Sequence, residues 1–200
     1  PDAVLLCVTN PLDVMTYLAW RVSGLPATRV LGMGGVLDSA RFAFAIAEKT
    51  GAPIPTIEAL AMGAHGDAMV PMPRFSMVDH TSLTKLLPAE DVDALVARTV
   101  NGGAEVVGLL KTGSAFYAPG ASVMAMAQAS LGDTGETMPS CIYLNGKYGI
   151  KDVYMTVPAT LGAGGVVAVE VIPLDDAELA AIQASAATIS EAVDSLGLRE

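Results

Sequence analysis

Hydrophobic side chains are unevenly spaced along these 200 residues, and the changes of spacing mark out the elements. Ala3–Val8 is an unbroken apolar run that stops at Thr9-Asn10-Pro11. Such a run is the pattern of a parallel strand covered on both faces. From Leu12 to Val22 the spacing becomes helical, with Val14, Leu18 and Val22 on one face, and Gly24 and Pro26 end the helix. The segment RVLGMGG predicts a second short strand running into a glycine turn. Strand, helix, strand is a βαβ unit, which puts Asn10 and Gly32–Gly35 at the carboxyl ends of neighbouring strands. Open α/β sheets bind ligands at that edge.

The pattern then changes character. VLDSARFAFAIAEKTG predicts a helix ending near Gly51, TIEALAMGAHG a strand leading into a loop, and MVPMPRFSMVD an extended segment. PAEDVDALVARTVNGGAEVVGLL is helical, with acidic residues in its first turn that suit the helix dipole and a bend expected at Gly102-Gly103. After the break at KTGSAFYAPG, ASVMAMAQAS resumes as a helix whose methionines read as core. From Ser140 to Ile172, β-branched residues interleaved with Asn-Gly and Gly-Gly turns predict an antiparallel sheet, with LGAGG as a hairpin turn. A last helix starts at the capping-box pair Asp175 and Glu178 and carries Leu179, Ile182, Ala186, Ile189, Val193 and Leu196 along one face. The fold class is thus α/β, the end of a Rossmann-type parallel sheet followed by an α+β domain, divided at 1–34 and 35–200. A chain that opens almost at once into a central strand, with no initiator Met, reads as a fragment.

Composition narrows the function classes. Apolar residues make up 52% of the chain, enough for a sizeable core, and the net charge is −10. That balance disfavours nucleic acid and anionic membranes, which need clustered Lys and Arg. Cys7 and Cys141 make no disulfide framework, and with only His65 and His80 besides, no metal site is expected. The longest charge-free run, 112–132, is broken by Gly, Ser, Pro and Gln, so no membrane span is expected and the chain is assigned to the cytoplasm.

Three places hold candidate chemistry. His65 lies in GAHGD, and a loop histidine taken alone is more often packed than reactive. Asp38 and Arg41, three apart on one helix, have the spacing of a surface ion pair. Arg41 is equally suited to grip a substrate carboxylate through two parallel hydrogen bonds, while Asp38 holds a histidine from another element. Asn10 before Pro11 is a ready helix N-cap, yet it also stands at the ligand edge of the sheet. The glycines of GMGG miss the G-x-G-x-x-G spacing of a dinucleotide fingerprint.

Four segments in register, VTNPLDVMTY, GMGGVLDSARF, GAHGDAMVP and KTGSAFYAPGAS, resemble the lactate/malate dehydrogenase superfamily, and most of all its bacterial lactate-dehydrogenase-like malate dehydrogenases. Arg41 follows Asn10 by 31 residues and His65 follows Arg41 by 24, as in that family. The resemblance implies an NAD-dependent oxidation of malate to oxaloacetate, with His65 as proton acceptor and Asp38 as its orienting carboxylate. It implies substrate contacts from Asn10, Arg41 and Ser114, a cofactor site lined by Val8, Thr9 and Asn10, and a homodimer or homotetramer. Family members often carry glycine at the position of Ala64 and a hydroxyl residue at that of Ala68, which leaves the packing of the His65 loop open. The family's glycine-rich phosphate loop, and two further arginines in a mobile loop, lie outside these residues, so negligible dehydrogenase activity is expected of this chain alone. A lactate or other 2-hydroxyacid specificity is the alternative within the family. A non-catalytic substrate-domain remnant serving as an assembly or binding module is the alternative of another class.

Overall fold

The computed structural model describes residues 2–199. Strand β1 (Leu5–Cys7), helix α1 (Leu12–Ser23) and strand β2 (Val30–Gly32) form the expected βαβ unit, with β1 and β2 parallel. Helix α1 ends at Gly24, whose φ of 66° is a left-handed cap that glycine adopts without penalty. Its buried face is Leu12, Asp13, Val14, Thr16 and Tyr17, whereas Val22 is 77% exposed. The last turn has run past the sheet, so the face predicted from spacing extends one turn too far. Pro11 occupies the N-cap position, and its carbonyl accepts the Met15 N–H at 2.9 Å. Asn10 therefore sits one residue too early to cap, and no side chain caps this helix. The Asn10–Pro11 peptide is cis.

Helix α2 (Gly35–Thr50) follows and ends at Gly51. The predicted strand over TIEALAMGAHG is split into β3 (Ile57–Glu58) and β4 (Ala61–Gly63). Between them the Leu60 N–H donates to Ser76 Oγ, and Leu60 O accepts from Met72, which turns the chain from one sheet into another. Strands β5 (Met69–Pro71), β6 (Met77–Val78) and β7 (Thr81–Ser82) and the one-turn helix α3 (Leu83–Leu86) precede the long helix α4 (Ala89–Leu110). Helix α4 runs unbroken through Gly102 and Gly103, so these glycines do not end a helix. They face Arg41: a Cβ on Gly102 would lie 3.4 Å from Arg41 Cδ, and one on Gly103 3.8 Å from Arg41 Nη1, both ordinary contact distances. Helix α5 (Tyr117–Leu131) begins inside the expected break, and of its methionines Met126 is buried while Met124 is exposed.

The predicted antiparallel segment is the spine of the molecule. Strands β8 (Thr137–Asn145) and β9 (Lys151–Gly162) pair along their whole length, and β10 (Gly165–Val169) folds back on β9 across the expected hairpin turn. The main sheet runs β1-β2-β8-β9-β4-β5, while β3, β6 and β7 form a smaller one. Strand β2 joins β8 through the pair Gly32 and Cys141, so the βαβ unit and the following domain share one sheet. Consecutive residues of β2 serve different cores. Val30 packs with α1 and the final helix α6 (Asp176–Ser195), and Leu31 packs with α2 and α5. Both faces of the strand are covered, which explains its continuous apolar run.

Helix α6 starts with the predicted capping box. The Glu178 N–H donates to the Asp175 carboxylate, and the Asp175 N–H donates to Glu178. Ile182, Ala186, Ile189 and Val193 are buried as the spacing predicts, and Leu196 is exposed beyond the end of the helix. Each fully buried side chain of this kind contributes roughly 1.5–3 kcal/mol by leaving water. No helix among the described residues is long and apolar enough to cross a membrane.

Candidate active site

One register row crosses the main sheet through Cys7, Gly32, Cys141, Thr156 and Gly63. His65 follows the row's last residue by two positions, and Gly34 follows Gly32 by two. The two meet in space: a Cβ on Gly34 would lie 3.2 Å from His65 Cβ and 2.6 Å from Leu12 Cδ2. Gly35 is tighter still, since its Cβ would fall 2.2 Å from Thr156 Cγ2 and 2.7 Å from the Pro139 carbonyl oxygen. The GMGG run is therefore a place where backbone must approach backbone, consistent with its failure to match a phosphate-binding fingerprint.

Helix α2 begins at this crossing and delivers two residues from its first turns. Asp38 is buried, and its Oδ2 lies 2.7 Å from His65 Nδ1. Its other oxygen accepts a hydrogen bond from Arg41 Nη1 at 3.1 Å. The spacing of Asp38 and Arg41 suggested a surface ion pair, but the pair is largely inside the protein, and its carboxylate bridges Arg41 and His65. Asp67, adjacent to His65 in sequence, is exposed. An imidazole whose Nδ1–H donates to a carboxylate keeps its Nε2 lone pair free to accept a proton. Burial works against the charged imidazole, but the Asp38 hydrogen bond and charge, with the Asp13 charge, outweigh it. The net effect raises the His65 pKa above its ordinary 6.5.

The loop that carries His65 is clamped from two sides. The Ala64 N–H donates to Ser185 Oγ of α6 at 2.8 Å, and the Ser185 hydroxyl donates to the Ala68 carbonyl at 2.6 Å. The loop thus uses main-chain groups at both alanine positions, and it packs closely without a glycine at one or a hydroxyl at the other. From the opposite side, Asp13 Oδ2 accepts the His65 N–H at 2.8 Å. Neither Ser185 nor Asp13 stood out in the sequence. An acidic residue in the first turn of a helix reads as an exposed partner of the helix dipole, and a serine among alanines reads as filler.

Beside Arg41, a cleft of about 550 Å³ opens between α2, α4 and the start of α5. Leu37, Ala40, Arg41, Thr99, Gly102 and Ala118 line it. Gly102 and Gly103 of α4 lie beside the Arg41 side chain. Val8, Thr9 and Asn10 are exposed at the carboxyl end of β1, next to the β2 turn. Ser114 is exposed in the segment between α4 and α5, and no hydrogen bond among the described residues ties it to His65 or Arg41. The structure thus brings Asp38, Arg41 and His65 into one bonded cluster and leaves Val8, Thr9, Asn10 and Ser114 at open surfaces.

Comparison with known proteins identifies the family. Residues 35–196 match the model of the lactate/malate dehydrogenase α/β C-terminal domain. Malate dehydrogenase of Roseiflexus castenholzii is 48% identical over 98% of this chain and 63% of its own length. That of Synechocystis sp. is 47% identical over 97% of this chain and 60% of its own. The solved malate dehydrogenase of Salinibacter ruber superposes with a TM-score of 0.96 at 43% identity, covering 98% of this chain and 64% of that one. The minor L-lactate dehydrogenase of Enterococcus mundtii superposes with a TM-score of 0.92 at 28% identity, over 96% and 62% of the two chains. The chain spans about 63% of the length of such relatives. It belongs to the lactate/malate dehydrogenase family and carries that family's α/β C-terminal domain.

Proposed function

We propose that these residues form the substrate-binding and proton-transferring part of an NAD-dependent malate dehydrogenase. In this reading, residues 1–34 end a nucleotide-binding unit and 35–200 form the substrate unit. The observation that carries it is the Asp38 carboxylate, which holds His65 Nδ1 at 2.7 Å and Arg41 at 3.1 Å. A base, its orienting group and a carboxylate clamp are thereby fixed in one rigid unit, which is what alcohol oxidation beside a carboxylate requires.

The reading assigns each residue a step. Arg41 binds the substrate carboxylate next to the reacting carbon, and its guanidinium has the planar donor pair that a carboxylate accepts. His65 Nε2 takes the hydroxyl proton as the carbon gives up its hydride, and Asp38 stabilises the resulting imidazolium. A nicotinamide, when bound, would supply the hydride acceptor. Val8, Thr9 and Asn10 would form one wall for it, a reading supported by their exposure on the carboxyl edge of a parallel strand pair. Asn10 and Ser114 complete the substrate contacts. Malate is favoured over lactate by the names and higher identity of the relatives, 48% and 47% against 28% for the lactate enzyme.

Exposed apolar side chains on α2, α4 and α5, among them Phe44, Leu109, Tyr117 and Leu131, support a homodimer or homotetramer. In the native polypeptide that carries these residues, His65→Asn is expected to abolish oxaloacetate reduction while leaving NADH binding largely intact. A His65→Asn protein that still turned over oxaloacetate at the parent rate would remove the basis of this assignment.

A further inference from the structure

Asp13 is a buried acid that the mechanism above does not use. It lies in the first turn of α1, where a carboxylate ordinarily faces solvent and the helix dipole. Here it is only 5% exposed and turned away from solvent. Its Oδ2 accepts the main-chain N–H of His65 at 2.8 Å, and its Oδ1 accepts the Cys141 thiol at 3.3 Å. Three segments distant in sequence, α1, the His65 loop and β8, therefore converge on one carboxyl group. We propose that Asp13 is a positioning residue for His65, fixing its main chain while placing negative charge behind the imidazole that becomes positive during the reaction.

Chemistry distinguishes this from simple packing. Both groups that Asp13 accepts from are neutral, and a buried carboxylate with neutral partners is costly to keep ionised. An asparagine would satisfy the His65 N–H equally well without that cost. Burial accordingly pushes the Asp13 carboxyl up to about 6, against the lowering effect of its bonds to His65 and Cys141. Burial pushes the Cys141 thiol well up, so that it remains a donor. The gain from a carboxylate lies at His65, where every nearby negative charge favours the protonated ring. The charged groups facing that ring are Asp38 and Arg41 from α2 and Asp13 from α1, while Cys141 from β8 faces Asp13. Asp38 orients the ring through Nδ1, and Asp13 orients the residue through its backbone. Two independent anchors leave the imidazole little freedom to tilt.

The inference rests on His65 being the proton acceptor, and the experiment separates the two. In the native polypeptide, Asp13→Asn preserves shape and removes charge. The His65 ring titration, followed by NMR without substrate, is expected to move to lower pH by about half a unit, a threefold loss of proton affinity. The acid limb of kcat for malate oxidation should move with it, and kcat should fall about tenfold with little change in KM. A folded Asp13→Asn protein with an unmoved ring titration and an unmoved pH profile overturns the proposal.

A second measurement does not depend on that variant folding. In His65→Asn, the backbone amide of residue 65 should still show a chemical-shift step near pH 6, from Asp13 alone. Cys141→Ala, which deletes the thiol donor, should move that step upward. An amide that does not respond to pH there refutes the link. If His65→Asn stays active, the catalytic assignment fails instead, whatever Asp13 does.

Discussion

His65 Nδ1 and Asp38 Oδ2 lie 2.7 Å apart, although 27 residues separate them and they come from a loop and a helix. With its Nδ1–H donating to this carboxylate, the imidazole carries its proton on Nδ1, and, against the opposing effect of burial, the Asp38 hydrogen bond and charge raise its pKa. Because the His65 pKa is raised above 6.5, the neutral base needed to oxidise an alcohol forms only at higher pH. In the native polypeptide, kcat/KM for malate oxidation should fall as pH drops through a midpoint above 6.5. Oxaloacetate reduction, which needs the protonated ring, should persist past that pH. Initial rates measured in both directions from pH 5 to 9 check this, and a shared midpoint below 6.5 contradicts it.

Asp38→Asn removes the charge but keeps the size. An amide can donate to Nδ1, which leaves the proton on Nε2 and takes away the lone pair facing the substrate. The expected loss is about 10²- to 10⁴-fold in kcat. The variant should also lower the His65 ring pKa, so NMR titration and steady-state kinetics together separate a tautomer effect from a folding defect.

Gly35→Ala would place a methyl group 2.2 Å from Thr156 Cγ2 and 2.7 Å from a backbone oxygen of β8. Backbone there cannot move without parting β2 from β8. A loss of about 1–3 kcal/mol or more is expected in chemical denaturation. Gly34→Ala meets a Leu12 methyl that can swing away, and His65 Cβ that cannot. It should cost less stability and more activity.

The buried Asp13 makes stability depend on pH. Its carboxyl titrates at about 6 in the folded protein against 3.8 when unfolded. The folded state therefore holds its proton more tightly. The stability contributed by that proton is complete below pH 3.8 and is lost as pH rises through about 6. By pH 7 the difference amounts to roughly 3 kcal/mol, at 1.36 kcal/mol per unit. Asp13→Asn should thus gain stability relative to the parent between pH 4 and 7, even as it loses activity. Urea denaturation of both proteins at pH 4 and 7 tests this, and a constant difference between them would refute it.

Much of this architecture is legible in the sequence because it depends on near neighbours. The apolar run before Asn10, the glycine ending α1, the Asp175–Glu178 cap and the β9–β10 turn are each encoded within a few residues. The pairing of Asp38 with His65 is legible from the resemblance. What escaped depends on distant partners. Asp13 is buried by β8, which arrives 128 residues later, and Ser185 meets Ala64 across 121 residues. Gly102 and Gly103 read as a bend because glycine weakens helices by about 1 kcal/mol. The helix nevertheless runs unbroken through them, with Arg41 of another helix packed alongside.

The place of β8 and β9 in the middle of the sheet has a consequence for how the chain reaches this state. Synthesis proceeds from the amino terminus, so Asn10, Asp38, Arg41 and His65 all leave the ribosome before the hairpin that joins β2 to β4 exists. During that interval β2 and β4 each present an open hydrogen-bonding edge, the kind of edge to which stray strands add. The hairpin closes both edges at once, and only then do Cys141 and Ser185 reach the loop around His65. The clustered residues are made first and gain their full set of partners last, which makes a nascent chain halted before residue 137 prone to aggregate through its two open edges.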